Sequence, residues 1–177
     1  NNWPITPARA ERLFARAPIE VLSSEPTQQG VAGAFKAEVA FAPDPRPVVV
    51  KWKLVPSDGM DGWNNNARKE VAAYVMQKWF LEPKDYVVPT TAVRCVPLAA
   101  YRRIEPDATP TIAGTGCVLG ALSLWLQHVT VPETLLDPER FATDHAYAYH
   151  LSNFSVLAYL VRHRDGRSGN VLVADDE

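Results

Sequence analysis

The sequence has no long run of basic residues, no apolar stretch of membrane length and only two cysteines. Its 18 lysines and arginines stand against 20 aspartates and glutamates, which gives a net charge of −2. A chain of this charge without a basic cluster is not typical of proteins that bind nucleic acids or anionic membranes. The longest apolar segment, Cys117 to Val129, is shorter than the roughly 20 residues of a membrane helix. We therefore expect neither a nucleic-acid partner nor a membrane span.

The cysteines and histidines give no sign of a metal site. Cys95 and Cys117 lack the CxxC spacing of metal and redox motifs. They could approach each other on neighbouring strands, but the pattern favours free, buried thiols. The four histidines show no spacing with carboxylates that would indicate zinc. We expect ordinary structural roles for all six residues.

The composition and the local patterns predict a globular chain that mixes helices and strands. With 47% apolar residues among 177, the chain can bury a sizeable core. Caps and hydrophobic periodicity predict a first helix over 7–16, a short helix after Asp137 and a long helix over 144–161. The predicted strands cover 19–24, 34–41, 48–53, 90–96, 120–126 and 171–173.

A strand with lysines on one face is predicted between Val48 and Lys53. Alternation places Val49, Lys51 and Lys53 on the same face. A lysine on a mostly apolar strand is costly unless an anion meets its ammonium group. Lys51 is therefore a candidate for binding phosphate, with Lys53 as the reserve candidate. The alternative is an edge strand whose lysines are solvated.

The next predicted helix carries a glutamate beside its apolar stripe. Asn64 to Asn66 offer cap residues, and Pro83 ends the pattern. Glu70 directly precedes Val71, so it lies beside the apolar stripe rather than opposite it. From the order of the strand lysine and the helix glutamate we predict an ion pair between Lys51 and Glu70; the alternative is a surface glutamate. The apolar residues at helical spacing are Val71, Tyr74, Val75 and Trp79.

Near the end of the chain, Asp165 stands five residues before Asn170, between an apolar helix and an apolar strand. Phosphotransferases of the protein-kinase type use this spacing: the aspartate orients the acceptor hydroxyl, and the asparagine holds a magnesium ion. Taken by itself the segment favours an ordinary turn, because Asp-Gly and Ser-Gly are turn dipeptides. The kinase interpretation rests on the order of the strand lysine, the helix glutamate and this loop.

Two short segments indicate which kinase families the sequence resembles. Glu70-Val71-Ala72-Ala73-Tyr74 and Val87-Val88-Pro89-Thr90-Thr91 resemble a run found in atypical kinases, namely the HipA toxin kinases, the secretory-pathway (Golgi casein kinase) family and the phosphatidylinositol kinases. Those families write the catalytic loop as Asp-Arg-His-x-x-Asn. Asp165 and Asn170 match this pattern, whereas Gly166 and Arg167 depart from it. The resemblance extends over about residues 20 to 174.

The resemblance implies an α+β fold with a division near residue 126. Residues 1–126 would form a kinase-like small lobe, an antiparallel sheet with a helix packed on it. Residues 127–177 would hold the hinge and the beginning of a helical lobe. In such a lobe, Gly30 and Gly33 let a turn approach the nucleotide phosphates, although a plain hairpin loop explains them equally well. Backbone groups near Leu126 and Gln127 would face the adenine ring.

The resemblance also implies transfer of phosphate from ATP, with Mg²⁺, to a hydroxyl acceptor, and serine or threonine of a protein is the favoured acceptor. Lys51 would hold the phosphates, Glu70 would orient Lys51, Asp165 would act as the base and Asn170 would bind the metal. Arg167 would neutralise charge in the transition state, or it is a surface arginine.

Two other functions stay open. The chain could be a pseudokinase-like module that binds proteins without catalysis, or a kinase for a lipid or small molecule. A second metal-binding aspartate is expected after Asn170, and Asp175 and Asp176 come too soon for it. The sequence therefore predicts that the catalytic unit continues beyond Glu177, or that the chain is an inactive relative.

Overall fold

The computed structural model describes residues 2–27, 33–55, 67–163 and 168–174, and these residues form an α+β fold. The predicted α+β class is therefore confirmed. The helices are α1 (Pro7–Arg16), α2 (Ala67–Gln77), α3 (Leu98–Tyr101), α4 (Pro138–Thr143) and α5 (His145–Leu160). The strands are β1 (Ile19–Pro26), β2 (Ala34–Phe41), β3 (Asp44–Leu54), β4 (Thr91–Pro97), β5 (Cys117–Leu124), β6 (Val129–Thr130) and β7 (Val173–Ala174).

The first five strands form one antiparallel sheet in the order β1-β2-β3-β5-β4. The strand β5 therefore lies between β3 and β4, and the chain passes through α2 on its way from β3 to the edge strand β4. The strands β6 and β7 form a separate two-stranded sheet.

The chain divides into two compact units. The first unit comprises Ile5–Val71 and Pro89–Trp125, and contains the five-stranded sheet, α1, α3 and the first residues of α2. The second unit comprises Asn1–Pro4, Ala72–Val88 and Leu126–Glu177, and contains the rest of α2, α4, α5 and the small sheet.

One face of the large sheet carries most of the core of the first unit. Alternation directs Val50 and Trp52 of β3 to this face, and both are fully buried. The helix α1 places Phe14 against it, with its ring centre 5.6 Å from that of Phe41. The short helix α3 places Tyr101 beside Trp52, at 5.4 Å between ring centres.

Both ends of α1 are capped. Thr6 accepts a hydrogen bond from the Arg9 amide at 3.4 Å, and Pro7 occupies the first helical turn, as predicted. At the other end, the Arg94 side chain donates to the carbonyl of Ala17 at 2.7 Å. A cation is favourable there, since the last carbonyls of a helix carry partial negative charge. Partial burial lowers the pKa of Arg94 from its ordinary value.

The opposite face of the sheet receives the beginning of α2. Ala67 joins Val55, which directly follows β3, and Ala121 of β5 in a buried apolar cluster, and Val71 packs against it. This cluster covers only one end of the face. The neighbouring positions along β3, on the same face, are Lys53 and Lys51.

The end of α2 differs from the predicted stripe. Val75 and Trp79 are exposed, at 45% and 77% of their surface, and Trp79 lies beyond the last helical residue. The buried side chains at this end are Tyr74 and Gln77. Gln77 accepts hydrogen bonds from the amides of Val87 and Val88, both at 2.9 Å, and donates to the Val88 carbonyl at 2.8 Å. The buried side chain of Gln77 therefore holds the segment that leads to β4 by hydrogen bonds to its backbone.

The helix α5 begins and ends close to the predicted limits. Asp144 is its N-cap and accepts from the amide of Tyr147 at 3.0 Å. Leu151 and Phe154 are half-buried, and Leu157 is the most buried residue of the helix. Among the residues that the structure describes, no helix has the length and apolar character needed to cross a membrane.

The expectation of free, buried thiols is wrong. Cys95 and Cys117 form a disulfide, and Cys95 is exposed. The register of β4 and β5 explains the pairing: Cys95 lies opposite Leu119, and Cys117 lies opposite Pro97. The cysteines are therefore diagonal neighbours, with Cα atoms 5.3 Å apart, a separation that a disulfide spans.

Candidate functional site

The candidate site lies within the first unit, where two lysines of β3 meet one glutamate of α2. The Lys51 ammonium is 2.7 Å from Oε2 of Glu70, and the Lys53 ammonium is 3.1 Å from Oε1. The predicted ion pair between Lys51 and Glu70 is present. The reserve candidate Lys53 binds the other oxygen of the same carboxylate, which the sequence did not reveal.

The three side chains differ in exposure. The Lys51 side chain keeps 36% of its surface accessible and that of Lys53 only 9%, while Glu70 has an intermediate 26%. Burial by itself raises the pKa of Glu70, but the charge and hydrogen bond of Lys51, followed by those of Lys53, outweigh it and hold the pKa below its ordinary value. The carboxylate is therefore ionised at neutral pH, and two positive charges face one negative charge.

The helix also favours an ionised glutamate at this position. Glu70 lies in the first turn of α2, where the helix dipole places a partial positive charge. The packing of Ala67 and Val71 against the sheet fixes that turn above β3. The glutamate is thus held in place by an apolar contact of its own helix.

Strand register determines what surrounds the lysines. Lys51 lies opposite Lys36 of β2 and Ser123 of β5, while Lys53 lies opposite the small residues Ala34 and Ala121. Because directly opposite side chains share a face, Lys53 has alanines on both sides and Lys51 has polar neighbours. Ala121 belongs to the buried cluster beneath α2, so Lys53 lies beside the covered end of the face and Lys51 lies further along β3.

The hydroxyl groups beside Lys51 were not predicted. Thr91 and Ser123 are both buried, and their hydroxyl oxygens are 2.8 Å apart across β4 and β5. Thr91 donates to the Pro89 carbonyl at 2.9 Å, so Ser123 supplies the proton between the two hydroxyls. The signal in the sequence is that Ser123 interrupts an apolar run, but its partner depends on strand order.

Lys36, the like-charged neighbour of Lys51, has partners of its own. Its ammonium is 3.1 Å from Oε1 of Glu25 and lies 5.3 Å from the centre of the Trp125 ring. Glu38 lies on the same face and accepts a hydrogen bond from Ser23 at 3.3 Å. The pairing of Lys36 with Glu25 keeps its charge away from Glu70, so two ammonium groups, those of Lys51 and Lys53, share the Glu70 carboxylate.

The two predicted glycines fall on the connection between β1 and β2. Gly30 lies outside the described residues. Gly33 has φ of +59°, in the left-handed region that glycine adopts without strain. Beside it, the amide and hydroxyl of Thr27 both donate to the carbonyl of Ala34, at 3.0 and 3.1 Å. Gly33 therefore serves a hairpin turn, and its contact with a nucleotide stays a prediction.

The predicted hinge residues belong to the second unit. Leu126 is half-buried and Gln127 is exposed. The Gln127 amide donates to the carbonyl of Asn2 at 2.9 Å, so this backbone group is engaged within its own unit.

The residues predicted for catalysis and metal binding are only partly described. Asp165 and Arg167 lie outside the described residues. Asn170 ends a short 3-10 turn, Ser168–Asn170, and is exposed. Among the described residues, no group of three histidines, cysteines, aspartates or glutamates is placed to hold a metal ion. The roles of these three residues stay predictions.

The arrangement suits the binding of an anion. A half-exposed ammonium, steadied by an ionised carboxylate and carrying excess positive charge, can donate hydrogen bonds to phosphate oxygens. Comparisons of the chain with protein-family models, with curated proteins and with solved structures give no match.

Proposed function

We propose that this protein is an atypical kinase that transfers phosphate from ATP, with Mg²⁺, to a hydroxyl group, and that serine or threonine of a protein is its acceptor. The observation that carries the proposal is the ion pair between Lys51 and Glu70. Protein kinases place a lysine on the third strand and a glutamate on the following helix, and the pair must form for activity. Here the lysine lies on β3 and the glutamate lies on α2, which follows it.

Two further observations support the proposal. The five-stranded antiparallel sheet with α2 packed on one face is compatible with a kinase-like small lobe. In the sequence, Asp165 also stands five residues before Asn170 and follows the long helix α5. In this proposal Asp165 is the base, Asn170 binds Mg²⁺, and Arg167 neutralises charge on the transferred phosphate.

Titration of the purified protein with ATP, with and without Mg²⁺, tests the binding step. We expect wild-type protein to bind ATP and the variant Lys51→Met to lose most of that affinity, because the ammonium that meets the phosphates is gone. Lys84→Met, which changes an exposed lysine of the 3-10 turn Pro83–Asp85, serves as the matched control and should bind as wild type does.

Transfer of the labelled γ-phosphate of ATP to a mixture of proteins tests the chemistry. Kinase activity predicts labelling by wild-type protein and by Lys84→Met, and none by Lys51→Met. Binding of ATP without any transfer would point to a pseudokinase-like binding module. Absence of ATP binding would overturn the proposal.

A further inference from the structure

Glu70 is shared by two lysines that are not equivalent. Its Oε1 meets Lys53, whose side chain is 9% exposed, and its Oε2 meets Lys51, whose side chain is 36% exposed. A phosphate that arrives from solvent can reach the exposed ammonium, whereas the buried one lies between Ala34 and Ala121 and beside the cluster of Val55.

A buried ammonium needs a fixed anion, because its transfer from water is costly when it stays unpaired. The anion that the structure gives Lys53 is Oε1 of Glu70. The same reasoning applies to the carboxylate. If Lys51 turned toward a phosphate and Lys53 were absent, Glu70 would be left half-buried without a countercharge.

We propose that Lys53 is a positioning residue, which keeps Glu70 ionised and aimed at Lys51 both before and after Lys51 binds a phosphate. This inference rests on the proposed function, since it assigns Lys51 to the nucleotide. The two lysines then have different roles. Lys53 stays bound to the Glu70 carboxylate, and Lys51 exchanges between that carboxylate and the nucleotide phosphate. When Lys53 neutralises Glu70, the Lys51 ammonium is left to bind an anion from solvent.

The affinity for ATP in a double-mutant cycle tests this role. The variants are Lys53→Met, Glu70→Gln and the double variant, each measured well below its unfolding temperature. If Lys53 acts through Glu70, each single change weakens ATP binding by about tenfold, and the double variant binds no more weakly than either single variant. Lys53→Arg, which restores a cation at the carboxylate, should recover most of the lost affinity.

Two results of that cycle would overturn the inference. If Lys53→Met binds ATP as wild type does and only its stability falls, Lys53 is a packing residue. If the losses of Lys53→Met and Glu70→Gln add in the double variant, Lys53 contacts the nucleotide directly.

A second cycle, on stability without nucleotide, separates the inference from the proposed function. Lys51 has the shorter contact and lowers the pKa of Glu70 more, but its ammonium can be solvated when Glu70 is lost, whereas that of the nearly buried Lys53 cannot. The coupling of Lys53 to Glu70 should therefore exceed that of Lys51 to Glu70 by about tenfold in the unfolding equilibrium constant. Equal couplings in a protein that binds ATP would overturn the inference alone. A wild-type protein that does not bind ATP, with unequal couplings, would overturn the proposed function and the positioning role with it.

Discussion

At the scale of single residues, Glu70 connects the helix α2 to the sheet through charge. Replacing it by glutamine keeps the shape but leaves the nearly buried Lys53 without its countercharge. We expect Glu70→Gln to lower the free energy of unfolding at neutral pH by about 1 to 3 kcal/mol. Glu82 is exposed and offers a control, because Glu82→Gln should change the free energy of unfolding by less than about 0.5 kcal/mol.

The effect of Glu70→Gln should also depend on pH. The pKa of Glu70 lies below its ordinary value of 4.5 in the folded protein, so the carboxylate stabilises the fold fully above pH 4.5. This contribution disappears as the pH falls through the lower, folded-state pKa. Urea unfolding at about pH 7 and about pH 3 should show the gap between variant and wild type narrowing at acid pH. A gap of constant size would mean that the ion pairs do not stabilise the fold.

Gln77 is the second residue with a large expected effect. Its amide group satisfies three backbone groups at Val87 and Val88, and its side chain is fully buried. Gln77→Met removes all three hydrogen bonds at similar volume, so we expect a loss of about 2 to 4 kcal/mol in the free energy of unfolding. The same substitution at the exposed Gln127 should have little effect. Thermal unfolding should show a clearly lower melting temperature for Gln77→Met than for Gln127→Met. Equal melting temperatures would mean that the three hydrogen bonds of Gln77 do not stabilise the fold.

At the scale of elements, β5 depends on a glycine at its centre. A Cβ atom at Gly120 would lie 2.6 Å from Nε1 of Trp52, which is fully buried and in contact with Tyr101. The indole cannot move away freely, because it is fully buried and packs against the Tyr101 ring. We expect Gly120→Ala to lower the free energy of unfolding by about 1 to 3 kcal/mol.

Gly116 provides the control for this substitution. It directly precedes β5, and a Cβ atom there would meet no other atom within 4 Å. Gly116→Ala should therefore unfold at nearly the same denaturant concentration as wild type. If Gly120→Ala were equally harmless, Trp52 would not occupy the position described.

At the scale of the whole molecule, local patterns predicted the elements well. The cap at Thr6 and the proline after it defined α1, and alternation defined the buried face of β3. These features depend on neighbouring residues, which the sequence displays directly. The exposure of Trp79 was missed because periodicity continues past the point where the helix ends.

Only the part of the candidate site that depends on consecutive elements of the chain was predicted. The pairing of Lys51 with Glu70 followed from a strand and a helix that are consecutive in the chain. The burial of Lys53 and the contact of Thr91 with Ser123 could not be predicted, because both depend on β5 lying between β3 and β4. The register of these strands is a long-range property, and the disulfide was missed for the same reason.

The disulfide makes a closed covalent ring of the segment from Cys95 to Cys117, which includes α3 and the exposed turn at Gly114. A protease recognition sequence inserted between Gly114 and Thr115 would let the ring be opened at one point. After cleavage, the two pieces should stay joined as one molecule in a non-reducing gel and separate only when a thiol is added. In Cys95→Ala they should separate without a thiol. The cut wild-type protein should therefore keep its edge strand attached even though its main chain is broken.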